Sequence, residues 1–184
     1  MDNAALVLAA CEMLQKRGVI LSLDNIQAGL LNNRWPGRLE IVSDEPRIIL
    51  DGAHNFIAAR NLARFLSANF SRRNITMVIG ILDDKPYNAM LKCLLPTANR
   101  VILTRAKINR AMAPEKLEPL AKKIIPGVTI IPDVNQALEH ALKTAAPDDV
   151  ICVAGSLYVV GEAKEALDKG QLNGRSSSKI VLDT

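Results

Sequence analysis

Polar side chains that could bind a ligand concentrate in residues 35–55, WPGRLEIVSDEPRIILDGAHN. There the apolar run 48–50 ends abruptly in Asp-Gly-Ala-His-Asn, and a helical pattern of apolar residues follows at once. This pattern predicts a buried strand, a tight polar turn and the start of a helix. Open α/β sheets bind ligands at the carboxyl ends of their strands, beside helix N-termini, so the turn is a candidate ligand site.

Asp51 and His54 are the first candidates in this turn. The Asp51 carboxylate is suited to accept hydrogen bonds from ligand hydroxyls, with ribose as the usual case, or it closes the turn through its own backbone. His54 is suited to orient an anion or transfer a proton, or it is bonded to nearby backbone. Gly52 between them permits close approach of the backbone, and the combination favours a ligand site.

Arg38 and Ser156 are the next candidates. Arg38 lies on a Pro-Gly turn and offers a fork of donors for phosphate oxygens, or it forms an ion pair with Glu40 or Asp44. Ser156 follows the last predicted strand and places a hydroxyl at the ligand edge, or it serves as a helix N-cap. Asn55 is expected to be the N-cap of the helix after the turn, a ligand contact, or both.

Charged residues also follow two other predicted strands. They are Asp83, Asp84 and Lys85 in one loop and Arg105, Lys107 and Arg110 in the next. Each group alone is typical of a solvated loop, but all would lie at one rim of the sheet. The sequence contains neither a G-x-x-x-x-G-K-[ST] phosphate loop nor a grouping of carboxylates and histidines that predicts a complete metal cage.

The elements that must position these residues alternate along the chain. Strands are predicted at 39–42, 47–50, 75–79, 101–104, 128–131 and 150–154, and helices at 87–95, 114–125, 135–144 and 159–167 as well as after residue 55. Strand and helix alternation indicates an α/β fold, with helices on both faces of a mostly parallel sheet of about six strands. The turn at 43–46 makes strand 39–42 an antiparallel edge strand.

The two ends of the chain follow a different pattern. Residues 3–15 predict a helix that is apolar nearly all round and is therefore expected to be buried on more than one side, against a partner absent from this chain. A second short segment, residues 24–31, leads into the WPGR turn. Residues 170–184 are typical of a flexible tail.

Composition narrows the class of protein. A chain of 184 residues with 49% hydrophobic and 3% aromatic content predicts one aliphatic core. The net charge of +4 is spread along the chain, which favours small anionic ligands over nucleic acid. Cys11, Cys93 and Cys152 show no metal or disulfide spacing and indicate reduced thiols. The apolar N-terminal run is too short to span a bilayer, so a cytoplasmic, monomeric protein without membrane contact is expected.

Several spaced motifs together resemble one family. They are Asn-Ala-Ala-Leu from Asn3, Ile26-x-x-Gly29-Leu30, WPGR, DGAHN and GSLYVVGE. In this order they resemble the folylpolyglutamate synthases and bifunctional dihydrofolate synthases of the Mur-ligase superfamily. Phe56 departs from the pattern, since the family carries proline there. The resemblance implies that 1–34 are the last helix and linker of an ATPase domain, 35–169 a Rossmann-like C-terminal glutamate-ligase domain, and 170–184 a tail.

The resemblance also implies a reaction. Family members use ATP and Mg2+ to convert a carboxylate of dihydropteroate or folate into an acyl phosphate, which L-glutamate then attacks. By position, Arg38 would contact the phosphates, Asp51 the ribose and Asn3 the other side of the nucleotide. His54 and Ser156 would lie near the incoming glutamate and the acyl phosphate. The phosphate loop and most metal ligands would belong to the N-terminal ATPase domain, so this chain alone is expected to be inactive.

Two other functions remain open at this point. One is a Mur-type ligase acting on cell-wall precursors, against which the WPGR and GSLY sequences argue. The other is a non-catalytic Rossmann-like module that binds a nucleotide or a protein. A natural start at Met1 would favour the module, because no ATPase domain would then precede the chain.

Overall fold

The computed structural model describes residues 2–170. The chain divides into two compact units, Met1–Trp35 and Pro36–Thr184. The predicted tail at 170–184 lies, apart from its first residue, outside the described residues.

The first unit consists of two helices, α1 (Asp2–Lys16) and α2 (Leu23–Leu31). Ser22 caps α2 by accepting a hydrogen bond from the Asn25 N–H. No residue of α2 is buried, and large apolar side chains such as Leu6 and Met13 on α1 are exposed. Among the described residues α1 is therefore not buried, and a partner for it stays a prediction. Over the described residues, no helix is both long enough and apolar enough to cross a membrane.

The second unit is built on one six-stranded sheet. Its strands are β1 (Glu40–Asp44), β2 (Arg47–Leu50), β3 (Ile75–Ile79), β4 (Arg100–Leu103), β5 (Val128–Ile130) and β6 (Val150–Ala154), in the order β1-β2-β6-β3-β4-β5. Only β1 is antiparallel to its neighbour; the other pairs are parallel. The α/β fold with an antiparallel edge strand is thus confirmed.

Five helices cover the sheet, four of them between successive strands and the last after β6. They are α3 (Phe56–Phe70), α4 (Tyr87–Leu94), α5 (Pro114–Ile124), α6 (Val134–Thr144) and α7 (Leu157–Asp168), and a short 3-10 turn, Leu95–Thr97, follows α4. Phe56 occupies the first helical position of α3, directly after the Asn55 cap. Pro114 is the first residue of α5, and Asp133 caps α6 by accepting a hydrogen bond from the Gln136 N–H.

The edge strand differs from its prediction at both ends. It begins at Glu40 rather than Leu39, because Leu39 has a φ of +46°, outside the extended region. It runs on to Asp44, with a register shift between Ile41 and Ser43. The turn between β1 and β2 is therefore only two residues long.

Alternate residues of the buried strands supply two cores, one on each face of the sheet. Ile49 and Met77 pack with α3, α4 and α5, whereas Ile48, Leu50 and Val78 pack with α6 and α7. All five side chains are fully buried, and each contributes about 1.5–3 kcal/mol through removal from water. The strands are consequently continuous apolar runs, as expected for a sheet covered on both faces.

This arrangement creates a crevice between β2 and β6. The two strands are parallel neighbours, yet β2 leads into α3 on one face and β6 leads into α7 on the other. Because the chain leaves adjacent strands in opposite directions, a gap opens at their carboxyl ends. Both segments with the DGAHN and GSLY motifs lie at this gap.

Candidate functional site

Backbone hydrogen bonds join three segments at the crevice. The histidine turn (residues 51–55) begins with the Asp51 N–H donating to the Val153 carbonyl of β6 at 3.0 Å. The next residue, Gly52, donates its N–H to the carbonyl of Gly37 at 2.6 Å. Gly37 belongs to the arginine turn (residues 36–39), so the two turns predicted to carry the site lie directly against each other.

Asp51 holds both turns through its carboxylate. One oxygen, Oδ1, accepts the Ala53 N–H at 2.9 Å, and the other, Oδ2, accepts the Leu39 N–H at 3.0 Å. Burial raises the pKa of the Asp51 carboxyl, against a lowering by these two hydrogen bonds and by the charge of Arg38. The turn-closing role is thus present, while each oxygen keeps a lone pair for a ligand hydroxyl. A ribose contact stays a prediction.

Arg38 is exposed, and neither expected ion pair forms. Glu40 pairs with Lys164 of α7 and accepts the Gly37 N–H at 2.8 Å, and Asp44 pairs with Arg47 at 3.0 Å. Among the described residues Arg38 has no carboxylate partner within 4 Å, although its charge acts on Asp51. Its guanidinium therefore remains available for an anionic ligand.

His54 is half-buried and is anchored through one ring nitrogen. Its Nδ1 lies 2.8 Å from the Gly52 carbonyl oxygen, which can only accept, so Nδ1 carries a proton. In the neutral ring the other nitrogen, Nε2, is then an acceptor. The alternative prediction for His54, a hydrogen bond to nearby backbone, is therefore confirmed. This bond uses only Nδ1, so Nε2 remains free to contact a ligand.

Asn55 and Ser156 begin the helices on either side of the crevice. Asn55 caps α3 by accepting the Ala58 N–H at 2.9 Å, and Ser156 caps α7 by accepting the Tyr158 N–H at 3.2 Å. Ser156 is buried, and its hydroxyl keeps a proton to donate. The capping interpretation of Ser156 is therefore what the contacts show, and its catalytic role stays a prediction. Two helix N-termini nevertheless face one gap, which favours anions.

Glycines allow neighbouring segments at this edge of the sheet to approach closely. A Cβ on Gly155, whose φ is +99°, would lie 2.7 Å from the Gly80 carbonyl oxygen. A Cβ on Gly52 would lie 2.3 Å from Leu157 Cδ2, so the close approach expected there serves packing of α7. Gly80, directly after β3, was missed in the sequence, although a glycine ending an apolar run is a usable signal.

The charged loops after β3 and β4 do meet at this edge. Asp84 pairs with Lys85 at 2.8 Å and with Arg110 at 3.8 Å, and the hydrogen bond from Lys85 lowers the pKa of Asp84. Lys107 pairs with Asp133 at 3.0 Å. In the described part of the chain, these ion pairs therefore link neighbouring loops.

Two members of the surrounding network had no sequence signal. Glu162 accepts the Lys107 N–H at 2.7 Å, and Lys164 pairs with Glu40 beside the arginine turn. Both lie on α7, where charged residues are typical of a solvent-exposed helix surface. Their contacts become apparent only from the topology, which places α7 beside these loops.

Asn3 lies in the first turn of α1, in the other unit, and its side chain is outside the described residues. Its nucleotide contact stays a prediction. Across the described residues no group of three or more His, Cys, Asp or Glu side chains could hold a metal ion.

Residues 37–157 match a protein family described as Mur ligase, glutamate ligase domain. A dihydrofolate synthase/folylpolyglutamate synthase of Bacillus subtilis is 30% identical over 167 residues, which are 90% of this chain and 38% of that protein. A probable bifunctional folylpolyglutamate synthase/dihydropteroate synthase of Haloferax volcanii is 37% identical over 145 residues, 78% of this chain and 17% of that protein.

Solved structures give the same result. Escherichia coli FolC in complex with DHPP and ADP superimposes with a TM-score of 0.81 at 30% identity, over 92% of this chain and 39% of that one. Two structures of bifunctional folylpolyglutamate synthase/dihydrofolate synthase, one from Yersinia pestis with AMPPNP and Mn and one with Mn, AMPPNP and L-glutamate bound, each have a TM-score of 0.76 at 30% identity, over 86% and 38%. The chain thus spans about two fifths or less of these relatives. It belongs to the Mur ligase family and corresponds to the glutamate ligase domain of the folylpolyglutamate and dihydrofolate synthases.

Proposed function

We propose that this chain is the glutamate-binding half of an ATP-dependent ligase that joins L-glutamate to dihydropteroate or folate. The observation that carries the proposal is the β2–β6 crevice, where an unpaired Arg38, the Asp51 carboxylate and the free Nε2 of His54 come together. The E. coli relative was solved with DHPP and ADP, and a bifunctional synthase with AMPPNP and L-glutamate, which supports these ligand classes.

The described residues suit a nucleotide better than they suit a metal ion alone. Asp51 has acceptor capacity for ribose hydroxyls, and Arg38 offers a fork for phosphate oxygens. We assign the ATP site to the β2–β6 crevice. Asn3 would contact the other side of the nucleotide. Mg2+ would be held by the phosphates and by an N-terminal ATPase domain. The Yersinia relative contains Mn in its nucleotide complex, which supports a divalent ion.

The chemistry divides into two displacements. In the first, a carboxylate oxygen of the acceptor attacks the γ-phosphorus of ATP, ADP leaves, and an acyl phosphate forms. In the second, the glutamate amine attacks the acyl carbon, the C–O bond breaks, phosphate leaves and the amine loses a proton. Arg38 would stabilise charge on the transferring phosphoryl group. Nε2 of His54 would take the amine proton or orient a glutamate carboxylate, and the Ser156 hydroxyl would donate to the acyl phosphate.

The free thiols support a reducing compartment for this reaction. Cys11, Cys93 and Cys152 are all unpaired, as is usual in the cytosol. We therefore place the ligase in the cytoplasm.

The proposal is tested with radiolabelled glutamate and the complete ligase, in which this chain is joined to its ATPase domain. The acceptors are dihydropteroate, tetrahydrofolate and a UDP-muramoyl peptide, each with and without ATP. ATP-dependent product on either pterin acceptor, and none on the muramoyl peptide, supports the proposal. Product on the muramoyl acceptor alone would move the chain to the cell-wall branch. No product on any acceptor would leave the binding module as the function to pursue.

A further inference from the structure

The outer surface of the second unit carries a groove away from the crevice. This open groove, of about 680 Å³, lies between α3 and the α4 segment with its 3-10 turn. Three cations line it, Arg60 and Arg64 from α3 and Lys92 from α4, together with the polar side chains of Ser67 and Thr97. Nothing in the proposed ligation reaction uses these residues.

The three cations are uncompensated in the described part of the chain. None of them has a carboxylate within 4 Å or a side-chain hydrogen bond, and neither α3 nor α4 contains an acidic residue. Arg60 lies over the Phe56 ring at 5.8 Å. Arg60 and Arg64 are one helical turn apart, an arrangement of like charges that opposes helix stability. Three unpaired cations around one concave surface favour an anionic ligand with several charges.

The rise of the helix matches one such ligand. A γ-linked glutamate chain has five backbone bonds per residue, where an ordinary peptide has three and spans at most about 3.6 Å. One γ-glutamyl residue therefore spans about 6 Å and carries one free α-carboxylate. One turn of α-helix rises about 5.4 Å, so successive carboxylates can meet Arg60 and then Arg64, with Lys92 on the opposite wall.

The groove is also continuous with the proposed site along α3. Asn55 caps this helix at the histidine turn, Arg60 lies in its second turn and Arg64 in its third. We propose that the α3–α4 groove binds the poly-γ-glutamate chain of the folate acceptor, away from the bond being formed. This inference rests on the proposed function, because only a folate ligase meets such a chain.

Kinetics of the complete ligase test the inference. The double variant Arg64→Gln/Lys92→Gln removes two groove charges and leaves Arg60, which contacts Phe56 next to the histidine turn. For a folate with five glutamates KM should rise about threefold to tenfold, the effect of losing two exposed ion pairs. For a folate with one glutamate KM and kcat should be unchanged. The matched control Arg72→Gln/Arg73→Gln removes two charges from the turn after α3, outside the groove lining, and should leave KM unchanged for both acceptors.

The outcomes separate this inference from the proposed function. If wild-type enzyme ligates glutamate but the groove variant shows the same KM as wild type for both acceptors, the groove inference is wrong and the ligase stands. An equal increase in KM for the folate with one glutamate and the folate with five would also overturn the groove inference. A wild-type enzyme that ligates neither acceptor would remove the proposed function itself.

A second measurement needs no catalysis. Cys93 lines the groove and is half-buried, whereas Cys152 is fully buried and its pKa is raised by that burial. In a Cys11→Ser variant of the 184-residue chain, the rate at which a thiol-reactive disulfide dye modifies Cys93 should fall at least threefold with penta-γ-glutamate. No protection would contradict the inference. Equal protection by inorganic phosphate or by a five-nucleotide thymidine oligomer at the same ionic strength would do so too.

Discussion

At the scale of single residues, Arg38 gives the sharpest test of the crevice. Arg38→Ala in the complete ligase should lower kcat about a hundredfold, because one donor to the transferring phosphoryl group is lost. The free energy of unfolding should change by less than about 0.5 kcal/mol, since the side chain is exposed and unpaired. Arg38→Lys keeps the positive charge but not the two-pronged guanidinium donor, so its kcat should lie between those of wild type and Arg38→Ala. Unchanged turnover of Arg38→Ala would remove this residue from the site.

Asp51 gives a prediction about pH. Because burial raises the pKa of its carboxyl above 3.8, the native state holds the proton more tightly than the unfolded chain. This residue's contribution to stability should therefore decrease as the pH rises through the interval just above 3.8. Asp51→Asn removes the titration and should flatten that part of the profile.

The measurement is urea unfolding of wild type and Asp51→Asn between pH 4 and 7. The variant also loses one of two hydrogen-bond acceptors, a constant cost of about 1 kcal/mol. The wild-type advantage over Asp51→Asn should shrink as the pH rises. An advantage that grows with pH would mean that the hydrogen bonds from Leu39 and Ala53 outweigh burial.

The sequence predicted these residues but not their contacts. Asp51, His54 and Arg38 are recognisable because each follows a strand or sits on a turn rich in glycine and proline. That Asp51 binds the Leu39 N–H is not recognisable, since a leucine with positive φ leaves no sequence signal. The pairing of Glu40 with Lys164 is not recognisable for a different reason, because it joins residues far apart in the chain.

At the scale of elements, the segments that follow β3 and β6 lie in close contact beside the crevice. Gly155→Ala would place a Cβ 2.7 Å from the Gly80 carbonyl oxygen at a φ of +99°, and should cost about 3 kcal/mol. Gly161→Ala on α7 is the matched control, because its Cβ would meet nothing within 4 Å. It should be neutral or stabilise by up to about 1 kcal/mol through helix propensity. Urea unfolding of both variants checks this, and equal effects would contradict the packing described.

Strand order was the part of the fold that local pattern could not supply. Alternating strands and helices predicted the parallel sheet, and the short turn before β2 predicted the antiparallel edge. The insertion of β6 between β2 and β3 depends on a long crossover from β5, which leaves no local pattern. It is this insertion that brings the DGAHN and GSLY segments together.

At the scale of the whole molecule, the helices of the first unit expose apolar side chains that the proposed ATPase domain would cover. No residue of α2 is buried, and α1 exposes Leu6 and Met13. We expect these side chains to be covered in the complete ligase, so a chain without the ATPase domain should bind far more of a hydrophobic dye such as ANS. Equal dye binding by both proteins would argue against that partner.

The most direct test of the account follows one oxygen atom. Dihydropteroate labelled with 18O in its carboxylate is incubated with the complete ligase, ATP and glutamate, and the phosphate released is analysed by mass spectrometry. The account predicts one 18O in phosphate for each amide bond formed, with both products lowered together in Arg38→Ala. Amide formation with unlabelled phosphate would contradict it, because the carboxylate would then not have been activated as an acyl phosphate.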